Sequence, residues 1–122
     1  MNETKCKQMH RYFQSVKQEC QEEISRLQLD HRVDEAVLAK IRLNIYDIFH
    51  SVFSVAEKTQ GDDEKKLSAF FLDRLERIPL SWKTALEKAK QYGNVETAYI
   101  ETIKLETVTQ IYNVFHRVWE GE

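Results

Sequence analysis

Two histidines occupy equivalent positions in a nine-residue pattern that the chain contains twice. The copies are residues 45–53 and residues 111–119, in which Ile, Tyr, Phe, His and Val recur in register. On a wheel of about 100° per residue, His50 and His116 both fall just outside the apolar arc of their helix. Two such imidazoles meeting across a bundle can bind a metal or an anion, or titrate near neutral pH.

The neighbours of the two histidines extend this candidate ligand site. Tyr46 lies four residues before His50, and Tyr112 lies four residues before His116, so each pair shares one helix face. The alternative interpretation is simpler. Amphipathic helices use a small set of residues, so a nine-residue match can arise by chance, and a histidine at the edge of an apolar arc commonly forms only a local hydrogen bond.

Metal-ligand spacing is absent from the sequence. Di-metal sites in bundles use Glu-x-x-His pairs, and no Glu lies three residues before any of the four histidines. The nearest approach is Asp47-x-x-His50, whose counterpart in the second copy is Asn113, a poor ligand. There is also no His-x-x-x-His or Cys-x-x-Cys spacing. We therefore predict neither a metal nor another cofactor.

Glu101 and Lys104 form a second group with potential chemistry. They are neighbours at i and i+3, both lean toward the inner arc of the last helix, and Lys104 aligns with the apolar Leu38 in the repeat. The pair is predicted to be either a partly buried ion pair or a ligand-holding lysine. In the alternative interpretation, Lys104 extends its ammonium to water along an apolar stem.

Trp82 and Trp119 are candidate interface residues. Tryptophan is enriched where a protein core meets a partner surface. Trp119 lies three residues before the last residue, where we expect one copy of the chain to cover the ring incompletely. Alternatively, both tryptophans close the ends of the chain's own core.

Composition and charge exclude several function classes. Residues 1–61 carry 9 basic and 9 acidic side chains and residues 62–122 carry 9 and 11, so neither half attracts nucleic acid or an anionic membrane. No apolar run approaches the ~20 residues of a membrane span, and the start has no apolar secretion signal. The chain contains no Gly-x-Ser-x-Gly or glycine-rich phosphate loop. We expect a cytoplasmic protein without enzymatic activity.

The two cysteines lie fourteen residues apart in one predicted helix. That spacing separates Cys6 from Cys20 by roughly 21 Å, whereas a disulfide needs Cα atoms within about 7 Å. They cannot pair with each other in a continuous helix.

Apolar periodicity predicts five helical segments in one domain, residues 1–122. They cover about residues 3–28, 34–58, 63–77, 80–92 and 94–119. The first segment carries an apolar stripe that includes Met9, Phe13 and Cys20, and the apolar arc of the second includes Val55, with Phe53 at its edge. Asp30 or Asp34 should cap the second segment, Asp62 or Asp63 the third, and Asn94 the last. Gly61 and Gly93 should take left-handed C′ positions. Pro79 should push Ile78 out of helical geometry.

Short connections favour antiparallel neighbours. We therefore predict an all-α, up-and-down four-helix bundle whose third helix is kinked or split at Pro79 and whose central helices carry the two pattern copies. An irregular five-helix array is the alternative. Two functional hypotheses follow. The first is a protein-interaction module, acting as a homodimer or with another protein partner. The second is a ligand- or metal-binding bundle, with or without catalytic activity, centred on His50 and His116 together with Tyr46, Tyr112, Glu101 and Lys104.

Overall fold

The chain folds into helices joined by short turns. A computed structural model describes residues 4–121, and no strand occurs within them. The helices are α1 (Lys5–Leu29), α2 (Val33–Gln60), α3 (Glu64–Arg77), α4 (Leu80–Gln91) and α5 (Val95–Glu120). The predicted all-α class is confirmed, and the predicted helix ends agree to within two residues, except that Glu3 lies outside the described residues. In the described part of the chain, no helix combines the length and apolarity needed to cross a bilayer.

The helices alternate in direction. Ion pairs between Lys17 and Asp47, and between Glu23 and Arg42, join α1 to α2 with opposite sequence order, so these two helices are antiparallel. α5 runs parallel to α2, since Tyr46 bonds Gln110 and Phe53 contacts Trp119. α3 and α4 both run opposite to α5 and therefore in the direction of α1. α2 and α5 pack on each other, and each also contacts α1 and α3. The bundle therefore has the predicted up-and-down order, with the two repeated segments on its central pair.

Pro79 separates α3 from α4 without reversing the direction of the chain. Ile78 keeps right-handed helical angles, with φ −59° and ψ −43°, so the prediction that Pro79 expels it from helical geometry was wrong. Pro79 itself stays near the helical region, with φ −74° and ψ −3°. The steric preference against a helical residue before proline is small enough for packing to override. The missing N–H of Pro79 is sufficient to interrupt the hydrogen-bond ladder.

The helix ends test the capping predictions. Asp63 accepts from the backbone N–H of Lys65 and Lys66, and Asn94 accepts from that of Thr97, as predicted. The cap predicted for α2 was wrong. Arg32 occupies that position without a side-chain capping hydrogen bond, and His31 just before it turns the chain with a positive φ of 58°.

Gly61 was predicted to be left-handed and is not. Its φ is −61° and its ψ −19°, so positive φ does not explain the glycine. A Cβ at Gly61 would overlap the carbonyl oxygen of Glu57, one turn earlier in the chain, and a backbone atom cannot easily move aside. Close approach of two backbone segments therefore requires glycine here. Gly93 does take the predicted left-handed conformation, with φ 69°.

The core is centred on aromatic side chains contributed by α1, α2, α3 and α5. Met9, Phe13 and Cys20 line α1 as its apolar stripe predicts. On α2, the buried face is rotated from the predicted arc: Val55 is exposed, whereas Phe53, expected at the edge of the arc, is fully buried. The buried face of α2 differs from the predicted one because this helix packs against α1, α3 and α5 at once.

Replacement of Phe49 or Phe115 by alanine should lower the free energy of unfolding by about 3–5 kcal/mol. The two rings are 0% and 1% exposed, so truncation leaves a cavity among fixed neighbours. Urea unfolding measures the loss. Val55→Ala is the control, because this side chain is 49% exposed and should change stability by no more than about 0.5 kcal/mol. Equal losses in all three variants would contradict the core assignment.

Candidate functional site

His50 lies on the boundary between α1 and α2 and bonds to a histidine that the sequence did not single out. His10 Nδ1 and His50 Nε2 are 2.9 Å apart. The His50 ring stacks on Phe13, with centroids 4.9 Å apart and planes 11° apart. The ring of His10 contacts that of Phe53 in a T-shaped arrangement, with ring centroids 5.3 Å apart. The two imidazoles therefore rest against the aromatic core on one side and reach toward solvent on the other.

A carboxylate holds the far side of His10. The Nε2 atom of His10 is 2.7 Å from Oε1 of Glu57. An ionised carboxylate can only accept, so this nitrogen carries a proton and Nδ1 faces His50. The ring centroids of the two histidines lie 5.1 Å apart, so with nitrogens at 2.9 Å the rings point at each other. That is the geometry of a hydrogen bond, whereas two ligands of one metal converge on a third point.

The electrostatics of this chain of contacts favour neutral His50 and ionised Glu57. Burial lowers the pKa of His50, and the Lys17 ammonium and His10 lower it further, while Asp47 opposes them. The hydrogen bond from His10 lowers the pKa of Glu57. Lys17 also forms an ion pair with Asp47 at 3.0 Å, which occupies the carboxylate that could otherwise stabilise a charged His50.

Cys6 completes the network as a donor to Glu57. Burial, followed by this hydrogen bond and the negative charge of Glu57, raises the pKa of the Cys6 thiol to about 11. The thiol therefore stays protonated at neutral pH and is a poor nucleophile. Both cysteines are free, as their predicted separation requires.

The second copy of the sequence pattern has a different environment. His116 is exposed, and its ring centroid is 6.1 Å from that of Tyr112 on the same helix. In contrast, Tyr46 is buried and donates its hydroxyl to the side chain of Gln110 at 2.8 Å. The structure thus pairs His50 with His10 instead of His116. A ligand site that uses both repeat copies stays a prediction.

The pair predicted on α5 is present. Nζ of Lys104 is 3.1 Å from Oε2 of Glu101, and the ammonium lies 5.6 Å from the ring centroid of Trp82. Glu101 is buried, and its Oε1 atom has no hydrogen-bond partner within the described residues. Lys104 therefore supplies the main compensation for a carboxylate removed from water.

Trp119 is covered by its own chain. Its side chain is only 8% exposed, stacks on Phe115 at 4.7 Å and donates to the carbonyl of Glu64 at 3.1 Å. Lys5 bonds both the Glu64 carboxylate and the Trp119 carbonyl. The expectation that a single chain leaves Trp119 incompletely covered was wrong, because the first turns of α1 and α3 close over it.

The opposite end of the bundle is apolar and open. Six of the nine large apolar side chains that are exposed in the described part of the chain lie at the α1–α2 and α4–α5 connections or in the first two turns of the helices that follow them. We call this surface the apolar end; its residues are Leu29, Val33, Val37, Tyr92, Val95 and Tyr99. A cleft of about 510 Å³ enters it between α2 and α5, with Val37 and Tyr99 in its walls. Sequence periodicity missed this surface because most of its residues lie at helix ends.

Within residues 4–121, no group of three or more His, Cys, Asp or Glu side chains is arranged to hold a metal ion.

Lys104→Met should lower the free energy of unfolding by about 2–4 kcal/mol, because it leaves Glu101 buried and charged without a partner. The double variant Glu101→Leu with Lys104→Met should recover most of that loss, since it removes both charges. Urea unfolding of the single and double variants measures both effects. A single variant as stable as the wild type would show that Glu101 does not need Lys104.

No family model, curated protein or solved structure matches this chain.

Proposed function

We propose that this protein is a protein-interaction module that self-associates through the apolar end of its bundle. The observation that carries the proposal is the concentration of exposed apolar side chains there, at two connections that lie side by side. Contiguous apolar surface on a small soluble domain commonly marks an interaction site. The Trp119 end of the bundle, in contrast, is closed by hydrogen bonds.

The two sides of the apolar end complement each other. The α1–α2 connection presents aliphatic side chains, including Leu29 and Val33, whereas the α4–α5 connection presents the aromatic Tyr92 beside Val95. A twofold axis through this end would place the aliphatic side of one copy on the aromatic side of the other. Tyrosine is favoured in such contacts because its ring is apolar and its hydroxyl can remain hydrated.

Charge supports the same arrangement. The first turn of α2 carries Asp34 and Glu35, and the last turn of α4 carries Lys88 and Lys90. Twofold pairing would bring Lys88 and Lys90 of one copy toward Asp34 of the other. Glu35 is already paired with Arg32 of its own chain, and Glu96 shares the cleft with Asp34. Charges at the rim of an interface fix its orientation and accelerate association more than they strengthen it.

The size of the surface predicts a weak dimer. The end of a four-helix bundle can bury less area than the roughly 800 Å² per partner of a standard stable interface. The cleft between α2 and α5 can receive an apolar side chain from the partner, which adds buried area at the centre. Association should therefore be reversible and depend on protein concentration.

Val95→Asp should weaken dimer formation by at least about tenfold, equivalent to 1.4 kcal/mol, because it places a charge among the exposed apolar side chains of the apolar end. Val95 is the first residue of α5, where an acidic side chain favours the helix, so the fold should be retained. Sedimentation velocity over a range of protein concentrations gives the dissociation constant.

Leu80→Asp is the matched control. Leu80 is also the first residue of its helix and is also exposed, but it lies about 16 Å along α4 from the apolar end. This variant should associate like the wild type. A wild-type protein that is monomeric at every concentration, or equal weakening in the two variants, would rule out association through the apolar end.

A further inference from the structure

We infer that His10, His50 and Glu57 form a proton-sensitive lock between α1 and α2, which is closed with one proton between the two imidazoles and opened by a second. The inference is independent of self-association, because the lock lies toward the Trp119 end of the bundle. It rests on two contacts made by one ring. Nδ1 of His10 faces Nε2 of His50 at 2.9 Å, and Nε2 of His10 faces Glu57 at 2.7 Å.

The contacts allow only one proton at the centre. Because the Nε2–H of His10 donates to the Glu57 carboxylate, the contact between the rings has either an N–H from His50 or an N–H from His10, with a lone pair opposite. If both rings are fully protonated, two N–H groups face each other and the hydrogen bond is lost. Two positive charges then lie side by side against an aromatic surface, which cannot solvate them as water does.

The groups around the pair oppose the second proton. From α1, Lys17 adds a positive charge beside His50. From α2, Asp47 would favour protonation, but Lys17 already pairs with it, and Glu57 is bonded to His10. The Cys6 thiol donates to Glu57 without adding charge. From α3, Glu64 is paired with Lys5, and α5 contributes the Trp119 carbonyl to that lysine.

His50 determines whether the folded chain becomes more or less stable as the pH falls. Its pKa in the folded chain lies below the ordinary value of 6.5, chiefly because of burial. As the pH falls below 6.5, His50 binds a proton in the unfolded chain more readily than in the folded chain. The free energy of unfolding therefore decreases. Glu57, whose pKa is also lowered from 4.5, adds a further loss only below that pH. The lock is therefore specific to mildly acidic conditions.

Opening should be local. His10 and Glu57 connect the first half of α1 to the last half of α2, next to Phe13 and Phe53. The far half of the α1–α2 pair is held separately by Arg42 and Glu23. Protonation should therefore increase amide exchange in residues 6–13 and 50–57 before it affects α4, which packs on α5.

Urea unfolding of the full chain at about pH 6.5 and about pH 5 tests the lock. The wild-type midpoint should fall, and in His50→Gln, whose amide can still donate to His10, that fall should be at least halved. His116→Gln is the control, because His116 is exposed on α5, and it should keep the wild-type fall. An unchanged wild-type midpoint, or equal falls in the two variants, would overturn the inference.

Nuclear magnetic resonance of the wild type tests the same lock without a variant that could fail to fold. Imidazole nitrogen shifts should show one proton shared between His10 and His50 at neutral pH, and His50 should titrate below 6.5, the value of an unperturbed histidine. Amide protection factors should fall first in residues 6–13 and 50–57. A His50 that titrates at or above 6.5, or protection lost uniformly over all helices, would show that no lock exists.

Discussion

The packing of the bundle depends on Phe53, the ring at which four helices meet. It is fully buried on α2 and makes edge-on or tilted contacts with Phe13 of α1, Phe71 of α3, and both Phe115 and Trp119 of α5, with centroid distances of 5.4–6.4 Å. Such contacts contribute about 0.5–1.5 kcal/mol each beyond the burial of apolar area. α4 packs mainly on α5, and its Trp82 contacts Phe49, one turn before Phe53 on α2.

The buried side chains are larger at the Trp119 end of the bundle than at the apolar end, and both proposals follow from this difference. Large rings fill the Trp119 end, whereas the buried side chains near the α1–α2 connection are Leu27, Ala36 and Ala39. Small side chains bury little area, so the apolar end keeps its larger residues exposed. The histidine pair lies at the margin of the aromatic centre, which shields it enough to make a second charge costly but leaves it accessible to protons.

Much of the fold could be predicted because it depends on residues that are close in sequence. Steps of three and four placed the stripe of α1 correctly. A side-chain oxygen just before the helix identified the cap Asn94 of α5 and narrowed the cap of α3 to Asp62 or Asp63, of which Asp63 is the cap. Periodicity on α2 was less informative. A helix that contacts three others has an apolar arc so wide that its centre cannot be located from one sequence, which is why Phe53 was placed at the edge and Val55 inside.

The sequence by itself determined the helical class, the break at Pro79, the impossibility of a Cys6–Cys20 disulfide and the neighbouring positions of Glu101 and Lys104, because each follows from spacing along a single helix. Only the tertiary structure decided that His10 bonds His50 and Glu57, since those contacts span 40 and 47 residues. It also decided which apolar residues stay exposed. Contacts between helices depend on rotation and register, and these are set by the combined packing of all the helices.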